Sequence, residues 1–359
     1  MMANVDCNSD MTGFHSSEVT LSSDQQKDMR KNRDAGRTRL ENGLALKSHP
    51  KPVLIESQGS YQMRTMVQDA ENDYDIDDGA YFSKDDLVDS DKNPLTPKAS
   101  RERICEALKW DGRLKHDAEV KRNCVRQMYP AGHHIDIPVY RVTTTTENDE
   151  KTELYELASG DAWVESDARA VTRWFNNIVG ELNAGESDGS QMRRITKLTK
   201  KMARSRKDWK EKTTSGICIS KLVVDNFVHS DGRDDLALRE TWKSIKKLLD
   251  TSTQIKHPVL DTNLAEIGDS KVTFFHTCVK SSLKTLEALD GANCDRRQAR
   301  LVWDEVFNTS YFSSLKDNGS DNDGGGNSGG NSGNSKKIAS VILTSMDVAR
   351  RNDGGGRFG

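Results

Sequence analysis

The stretch of sequence that decides the fold is "QGSYQMRTMVQDAENDYDIDDGAYF", residues 58–82. It begins with a Gly-Ser pair, Gly59 and Ser60, and continues into a run of acidic side chains. Four of its aspartates lie within six positions: Asp73, Asp75, Asp77 and Asp78. Two carboxylates held about 5 Å apart repel each other by about 3 kcal/mol at an effective dielectric constant of about 20. The stretch is therefore either a solvated turn or the binding site of something positively charged.

The alternation of residues 73–82 predicts a strand. On a strand, Asp75 and Asp77 point to the same face of the sheet, and two carboxylates on one face suit a hard divalent cation. A two-metal site for phosphoryl transfer usually needs a further carboxylate from another strand. Asp136 offers one within the otherwise apolar "HHIDIPVY", residues 133–140, where an unpaired carboxylate would be costly to bury. A structural ion pair is the alternative interpretation of Asp136.

The Gly-Ser pair suits a phosphate group. Gly59 lets backbone N–H groups approach an anion closely, and Ser60 adds a hydroxyl at the start of a predicted short helix. The order of these features predicts a triphosphate held at the pair, with its metal ions on the aspartates. A calcium loop starting at Asp73 is excluded, because Asp78 stands where glycine is needed and Lys84 where glutamate is needed. The chain also contains no G-x-x-x-x-G-K-[ST] phosphate loop.

Composition sets the broad class of the protein. The chain has 359 residues, of which 34% are hydrophobic and 30% charged, with a formal net charge of −3. This near-neutral charge argues against a stable nucleic-acid partner. The six cysteines are scattered without a C-x-x-C pair, which favours reduced structural thiols. Without a run of 18 apolar residues or a signal-peptide pattern, we expect a cytoplasmic protein with no membrane partner.

The predicted fold class is α+β, with a small sheet domain followed by a mainly helical lobe. Residues 1–50 are predicted to form a polar segment, loose to about residue 20, and a helix that begins at Ser22 or Ser23. The remaining segments follow changes in composition: the sheet domain at 51–160, the helical lobe at 161–315, a Gly/Ser/Asn linker at 316–336 and a tail at 337–359. The linker composition cannot bury apolar area and is typical of a flexible tether.

Three motifs in this order resemble a known family. G-S, then D-I-D-D-G, then H-I-D-I-P-V-Y are similar to the motifs of the cGAS/DncV-like bacterial nucleotidyltransferases (CD-NTases), of the DNA polymerase beta-like superfamily. The segments "AWVESDARAVTRWFN" and "RRITKLTKKMARSRKDW" are similar to later parts of the family, although Ala168 stands where the family usually has proline. The resemblance covers roughly residues 50–315.

The resemblance implies a polymerase-beta-like sheet domain packed on a helical lobe. It also implies synthesis of a cyclic di- or trinucleotide from NTPs, ATP and/or GTP, with two Mg²⁺ ions (Mn²⁺ being possible) and a downstream effector, in an antiphage CBASS system. The implied catalytic and metal-binding residues are Asp75, Asp77 and Asp136. The implied nucleotide- and phosphate-binding residues are Gln58, Gly59, Ser60, Lys200 and Ser215. Lys201 remains an alternative to Lys200, and His133 and His134 receive no chemical role.

The chain as given ends in "GGGRFG", and this end resembles those of CD-NTases that a ubiquitin-activating/conjugating-like CBASS enzyme joins to a target. The resemblance thus implies conjugation through Gly359, with an inert flexible tail as the alternative. Two other functions remain open. The protein could be a template-independent polymerase that makes linear oligonucleotides, or an inactive nucleotide-binding scaffold.

Overall fold

A long strand that begins at Asp75 organises the first part of the structure. The computed structural model describes residues 5–316, except for residues 70, 72, 73, 111, 113–115, 148 and 185–188. Asp73, the predicted linker beyond Lys316 and the tail with Gly359 therefore lie outside the described residues.

The strand from Asp75 pairs with three others in one mixed sheet. In chain order the strands of this sheet are β1 (Leu54–Gln58), β2 (Asp75–Ser83), β3 (Glu119–Val120), β4 (Val125–Met128), β5 (His134–Ile137), β6 (Val139–Glu147), β7 (Glu150–Ser159) and β8 (Ala162–Glu165). Their order is β3-β4-β5-β2-β6-β7-β8, and β1 also pairs with β2. β5 and β6, which only Pro138 separates, run parallel to successive parts of β2, while β1 runs antiparallel to it.

Helices cover one face of the sheet and form most of the second part. The helices of the first part are α1 (Asn8–Phe14), α2 (Ser23–Leu46), α3 (Gly59–Gln62) and α4 (Pro97–Leu108). Those of the second part are α5 (Ala168–Ala184), α6 (Gly189–Ala203), α7 (Lys207–Lys212), α8 (Gly216–Asn226), α9 (Asp234–Leu249), α10 (Ser270–Leu286), α11 (Arg296–Phe307) and α12 (Tyr311–Ser314). A short antiparallel pair of strands, β9 (Ile255–Lys256) and β10 (Asn263–Ala265), lies between α9 and α10 in the chain.

The predicted helix after Ser22 is present as α2. The Ser22 hydroxyl accepts a hydrogen bond from the Gln25 N–H, and the Gln25 side chain accepts one from the Ser22 N–H, so a capping box fixes where the helix begins. Gly43, which weakens the helix in isolation, allows α4 to approach. A Cβ atom there would lie 1.8 Å from the carbonyl oxygen of Ala107.

The two larger apolar cores among the described residues follow from this arrangement. The first lies between the sheet and the pair α2 and α4, and includes Leu40, Ile76, Phe82, Ile104 and Ile135. The second fills the helical part, around Trp242, Phe275, Val279, Trp303 and Phe307. The mixed sheet and the helical lobe confirm the predicted α+β fold class.

The prediction of a loose segment up to about residue 20 is wrong for the residues that the structure describes. α1 and the wider helical turn that follows it, His15–Val19, pack into the second core through Cys7, Met11 and Phe14. These side chains recur at the i, i+4 and i+7 spacing of a helix face, which the polar composition around them hides.

The basic segment that contains Lys200 divides into α6 and α7, because the chain is extended at Arg206, whose guanidinium donates to the Glu305 carbonyl oxygen at 2.6 Å. The helix that begins at Pro97 ends at Leu108. Among the described residues, no helix combines the length and the apolar character needed to cross a bilayer.

Candidate active site

The two faces of β2 separate its aspartates. Asp78 points toward α2, where the Arg37 guanidinium donates to its two carboxylate oxygens at 2.7 and 2.5 Å and the Ser57 hydroxyl donates at 2.8 Å. Asp75 and Asp77 point to the opposite face, as strand alternation predicts. Asp78 thus belongs to a structural ion pair, and Asp75 and Asp77 are the described aspartates of the run that remain for chemistry.

Neighbouring strands bring a third carboxylate to the same face. In the sheet register, Asp77 lies between Gln58 of β1 and Asp136 of β5, and Asp136 lies next to Arg126 of β4. Asp75 lies opposite His134. Because paired residues of adjacent strands share a face, the carboxylates of Asp75, Asp77 and Asp136 converge, as predicted.

Burial and repulsion govern the charge of this cluster. Asp77 is 6% exposed, and burial together with the nearby carboxylates of Asp75 and Asp136 raises the pKa of its carboxyl well above the usual range. Asp136 is buried too, but both of its oxygens accept hydrogen bonds from the Arg126 guanidinium, at 2.8 and 2.7 Å. Arg126 is the ion-pair partner that the apolar surroundings of Asp136 required.

The donor atoms of the cluster fit a divalent cation. One ligand atom each of Asp75, His134 and Asp136 lie within 4.8 Å of one another. His134 Nε2 is 3.8 Å from an oxygen of Asp75 and 3.9 Å from one of Asp136. The raised pKa of Asp77 shows that Arg126 alone does not neutralise the negative charge of the three carboxylates. A bound cation would supply the positive charge that is still needed.

His134 is the site residue that the sequence analysis missed. Its position two residues before Asp136 puts it on the same face of β5, and that spacing was readable from the sequence. His133 points the other way, where its ring stacks on Tyr129 and Tyr74 and its Nε2 atom is 2.8 Å from the Asn32 amide. Only the register with β2 shows that His134 faces Asp75.

A basic cavity of about 250 Å³ adjoins Asp75. Ser60 and Lys200 line it, together with Arg204 and Thr214. Lys200 is 5% exposed and donates to the Thr65 hydroxyl at 3.0 Å, and burial and the neighbouring Arg204 lower its pKa to about 7. Lys201 instead donates to the Gln68 carbonyl oxygen at 3.1 Å. The geometry therefore favours Lys200 over Lys201 at this cavity.

The other predicted phosphate-binding residues, Gly59 and Ser215, each lie at the beginning of a helix. Gly59 adopts a φ of 63°, in the left-handed region that favours glycine, and begins α3 beside Ser60. The Ser215 hydroxyl caps α8 by accepting from the Cys218 N–H at 3.4 Å, while the adjacent Gly216 lines the cavity.

Gln58 is held inside the sheet. Its side chain is 1% exposed, and its amide donates to the Tyr140 hydroxyl at 2.9 Å and accepts from the Tyr81 hydroxyl at 2.7 Å. Gly79 leaves room for this group, because a Cβ atom there would lie 2.8 Å from the Gln58 amide oxygen. Both ends of the Gln58 amide are thus bonded to tyrosine hydroxyls, and the contact of Gln58 with a nucleotide stays a prediction.

A second cavity, of about 260 Å³, lies on the other side of the carboxylates. Gln58, Gly59 and Asp77 line it where it meets the carboxylate cluster. The rest of its wall is mainly apolar and comes from both parts of the molecule: Leu157 and Val164 of the sheet, and Ile217, Leu260 and Leu264 of the helical part. The carboxylates thus lie between a basic cavity and an apolar one.

The family model for the nucleotidyltransferase domain of cyclic GMP-AMP synthase DncV-like proteins matches residues 53–140. This range contains the Gly59–Ser60 turn and all three converging carboxylates. The chain contains a DncV-like nucleotidyltransferase domain. The match confirms the family resemblance that the three motifs indicate.

Relatives and solved structures extend the similarity beyond the DncV-like domain. A cyclic GMP-AMP synthase of Escherichia albertii is 24% identical over 227 residues, which cover 61% of this chain and 47% of that protein. The chain thus spans about half the length of this curated relative. Escherichia coli DncV bound to 3′-deoxy GTP superposes with a TM-score of 0.63 at 17% identity, covering 86% of this chain and 98% of that one.

Two other solved structures share the fold. Vibrio cholerae DncV, in complex with the linear intermediate pppA(3′,5′)pG, gives a TM-score of 0.64 at 16% identity over 84% of this chain and 96% of that one. The Bradyrhizobium diazoefficiens CD-NTase CdnG, in complex with GTP, gives a TM-score of 0.64 at 14% identity over 86% and 97%. The sheet and the helical lobe together, beyond the DncV-like domain, therefore have the overall fold of these proteins.

Proposed function

We propose that this protein synthesises a cyclic oligonucleotide from NTPs, ATP and/or GTP. The observation that carries the proposal is the convergence of Asp75, Asp77 and Asp136 between a basic and an apolar cavity, at the Gly59–Ser60 turn. The similar proteins support it, since one is a cyclic GMP-AMP synthase and another holds a linear dinucleotide intermediate.

The basic cavity suits the triphosphate of the donor nucleotide. The Ser60 hydroxyl and the left-handed turn at Gly59 would orient it, and Lys200 and Arg204 would balance its charge. Lys200 loses part of its charge at neutral pH because it is buried, and a bound phosphate restores that charge.

The apolar cavity suits the base of the acceptor nucleotide. The acceptor hydroxyl oxygen attacks the α-phosphorus, the bond between the α-phosphorus and its bridging oxygen breaks, and pyrophosphate leaves. Asp136 would take the hydroxyl proton, and the Arg126 guanidinium holds this carboxylate in place. Two Mg²⁺ ions, or Mn²⁺, held by Asp75, Asp77 and Asp136 would stabilise the charge on the attacking and leaving oxygens.

A second transfer must close the ring. The linear product would turn so that its own triphosphate enters the basic cavity and its free hydroxyl faces Asp136. The two cavities, of about 250 and 260 Å³, lie on either side of the same carboxylates, and this supports one site serving both steps.

The proposed function is tested by identifying the reaction product. The purified full chain is incubated with mixed NTPs and Mg²⁺, treated with phosphatase and analysed by mass spectrometry. We expect a phosphatase-resistant cyclic species that is absent with Asp75→Asn. Asp85→Asn, which removes the same charge from an exposed turn after β2, is the matched control and retains synthesis. Linear products alone would identify a polymerase, and Mg²⁺-dependent NTP binding without product would identify a scaffold; either result rejects the proposal.

From the family resemblance alone we also propose the biological setting. The cyclic product would act on a downstream effector in a CBASS antiphage system, and a ubiquitin-activating/conjugating-like enzyme would join Gly359 to a target. Gly359→Glu should block this conjugation and leave nucleotide synthesis unchanged. Continued transfer of the variant to a target, seen as a mass shift, would reject the role of Gly359.

A further inference from the structure

A larger cavity, of about 510 Å³, lies behind the Gly59–Ser60 turn. Leu21, Met29 and Lys197 are its buried lining, and Arg30, Gln62 and Arg64 are exposed at its rim. Three of these side chains are cations, and the described residues that line the cavity include no carboxylate. The cavity is therefore positively charged, and its volume is about twice the 250 Å³ of the cavity at Lys200.

The charge in this cavity lacks the compensation that burial normally demands. Lys197 is 7% exposed, and its ammonium group donates to the Thr20 hydroxyl. Arg193, on the same helix, donates to the Met63 carbonyl oxygen at 3.1 Å and to the Asn176 amide oxygen at 3.3 Å. Burial and Arg193 lower the pKa of Lys197 to about 8, and burial and Arg64 lower that of Arg193.

Within the part of the chain that the structure describes, none of Arg30, Arg64, Arg193 and Lys197 makes a salt bridge to a carboxylate. Like charges gathered without counter-charges are costly, and buried ones especially so. In the cluster of Asp75, Asp77 and Asp136, Arg126 and a bound cation would balance the negative charge. In the basic cavity, a bound anion would balance the positive charge in the same way.

The backbone at the rim is a second, independent sign of a binding site. Arg64 has a φ of 55°, in the left-handed region that a long side chain rarely adopts. Such a conformation costs roughly 1–2 kcal/mol and persists where the surroundings impose it, often at ligand sites. Here the Arg193 guanidinium holds the preceding carbonyl group, that of Met63, and Arg64 lines the cavity opening.

The rest of the wall suits an organic group. Leu21, Met29 and Met66 supply apolar surface, and the ring of Tyr61 is backed by the Arg33 guanidinium, 5.6 Å from its centroid. We propose that this cavity binds a phosphorylated small organic molecule of about nucleotide size. Its phosphate groups contact Lys197 and Arg64, and its body lies against Met29 and Tyr61.

An occupant of this cavity also acts on the nucleotidyl transfer site. Tyr61 and Gln62 belong to α3, the helical turn that begins at Gly59. Met66 lines both this cavity and the one at Lys200, and Lys197 precedes Lys200 by one helical turn on α6. A ligand held by Lys197 therefore stabilises one arrangement of the turn that presents Ser60, and by linkage changes the affinity for NTP.

The test is a binding titration that separates the two basic cavities and needs neither metal nor turnover. Inorganic pyrophosphate is titrated calorimetrically into the full chain in EDTA. We expect two binding events, one removed by Lys200→Met and the other by Lys197→Met, with the second weakened at least tenfold by Arg64→Glu. Because Arg64 is exposed, its variant separates loss of binding from loss of folding. Lys284→Met and Arg297→Glu, at exposed positions of α10 and α11, are the matched charge controls.

A second titration tests the organic part of the ligand. AMP should bind to Lys200→Met more tightly than inorganic phosphate does, and lose that affinity when Lys197→Met is added. Equal affinities for AMP and phosphate would overturn the organic part of the proposal. Absence of any binding event that depends on Lys197 or Arg64, up to millimolar pyrophosphate, would overturn the site itself. Neither result depends on whether the protein makes a cyclic nucleotide.

Discussion

At the scale of single residues, Asp77 shows how the site opposes the stability of the fold. Its carboxyl is buried and faces Asp75 and Asp136, and these causes raise its pKa. An acid whose pKa is higher in the folded than in the unfolded state destabilises the fold as the pH rises through that interval. Packing alone would favour a neutral side chain at position 77, so we attribute the presence of an aspartate there to the binding of a cation.

Asp77→Asn should therefore stabilise the metal-free protein while abolishing nucleotide synthesis. The expected gain in the free energy of unfolding at pH 7 is on the order of 1 kcal/mol, because the variant has no charge to bury. The gain should vanish as the pH falls below about 4, the ordinary pKa of aspartate, because Asp77 is then protonated in both states. Urea denaturation in EDTA at several pH values measures it. A loss of stability at pH 7 would contradict the predicted direction.

His134 makes the second prediction at this scale. Its Nε2 atom lies 3.8 and 3.9 Å from carboxylate oxygens of Asp75 and Asp136. Carboxylates suit both Mg²⁺ and Mn²⁺, and an imidazole nitrogen suits a transition-metal ion better than Mg²⁺. Bound Mn²⁺ should show nitrogen hyperfine coupling in pulsed electron paramagnetic resonance, and His134→Gln should lose it. His133→Gln, at the neighbouring position on the opposite face, is the control and should keep the coupling. Identical spectra for wild type and His134→Gln would exclude a His134–metal bond.

At the scale of elements, the crossing of α2 and α4 depends on one glycine. By helix propensity, Gly36 and Gly43 each destabilise α2 by a similar amount. In the structure, a Cβ atom at position 43 would lie 1.8 Å from the Ala107 carbonyl oxygen, whereas at position 36 its nearest neighbour would be 3.7 Å away. The difference depends on where the second helix lies, which local sequence does not encode.

Gly43→Ala should consequently lower the free energy of unfolding by at least about 2 kcal/mol, because α4 must move away from α2. Gly36→Ala is the matched control in the same helix. It should leave stability unchanged or raise it by up to about 1 kcal/mol, because alanine is the better helix former. Chemical denaturation of both variants measures the contrast. Equal effects would show that α2 and α4 do not approach as closely as described.

At the scale of the whole molecule, the beginning of the chain closes the helical lobe. The ring of Phe14 packs 4.7 Å from that of Phe307 and 4.8 Å from that of Phe312, between centroids. Asp10 accepts from the Arg300 guanidinium at 2.8 Å. The segment that composition predicts to be loose thus connects to the last helices that the structure describes.

Phe14→Ala should lower the free energy of unfolding by about 3–5 kcal/mol, because it leaves a cavity among aromatic rings. Leu301→Ala, at a position of α11 that is 53% exposed, is the control and should change stability by less than about 0.5 kcal/mol. Thermal and urea denaturation measure both. No difference between the two variants would mean that the first helix does not pack on the lobe in solution.

The sequence by itself determined the features that depend on local order. Alternation along residues 73–82 predicted the strand β2 and put Asp75 and Asp77 on one face, and Ser22 or Ser23 was predicted to begin α2. The order of three motifs indicated the family whose model matches residues 53–140. These inferences succeed because strand period, capping chemistry and residue type act over a few neighbouring positions.

Only the tertiary structure decided which distant groups meet. It paired Asp136 with Arg126, brought His134 to Asp75, turned Lys200 rather than Lys201 into the basic cavity, and placed Lys197 in a cavity of its own. The physical reason is that strand register and helix crossing set these distances. Both are chosen by the packing of the whole core, so no short stretch of sequence contains them.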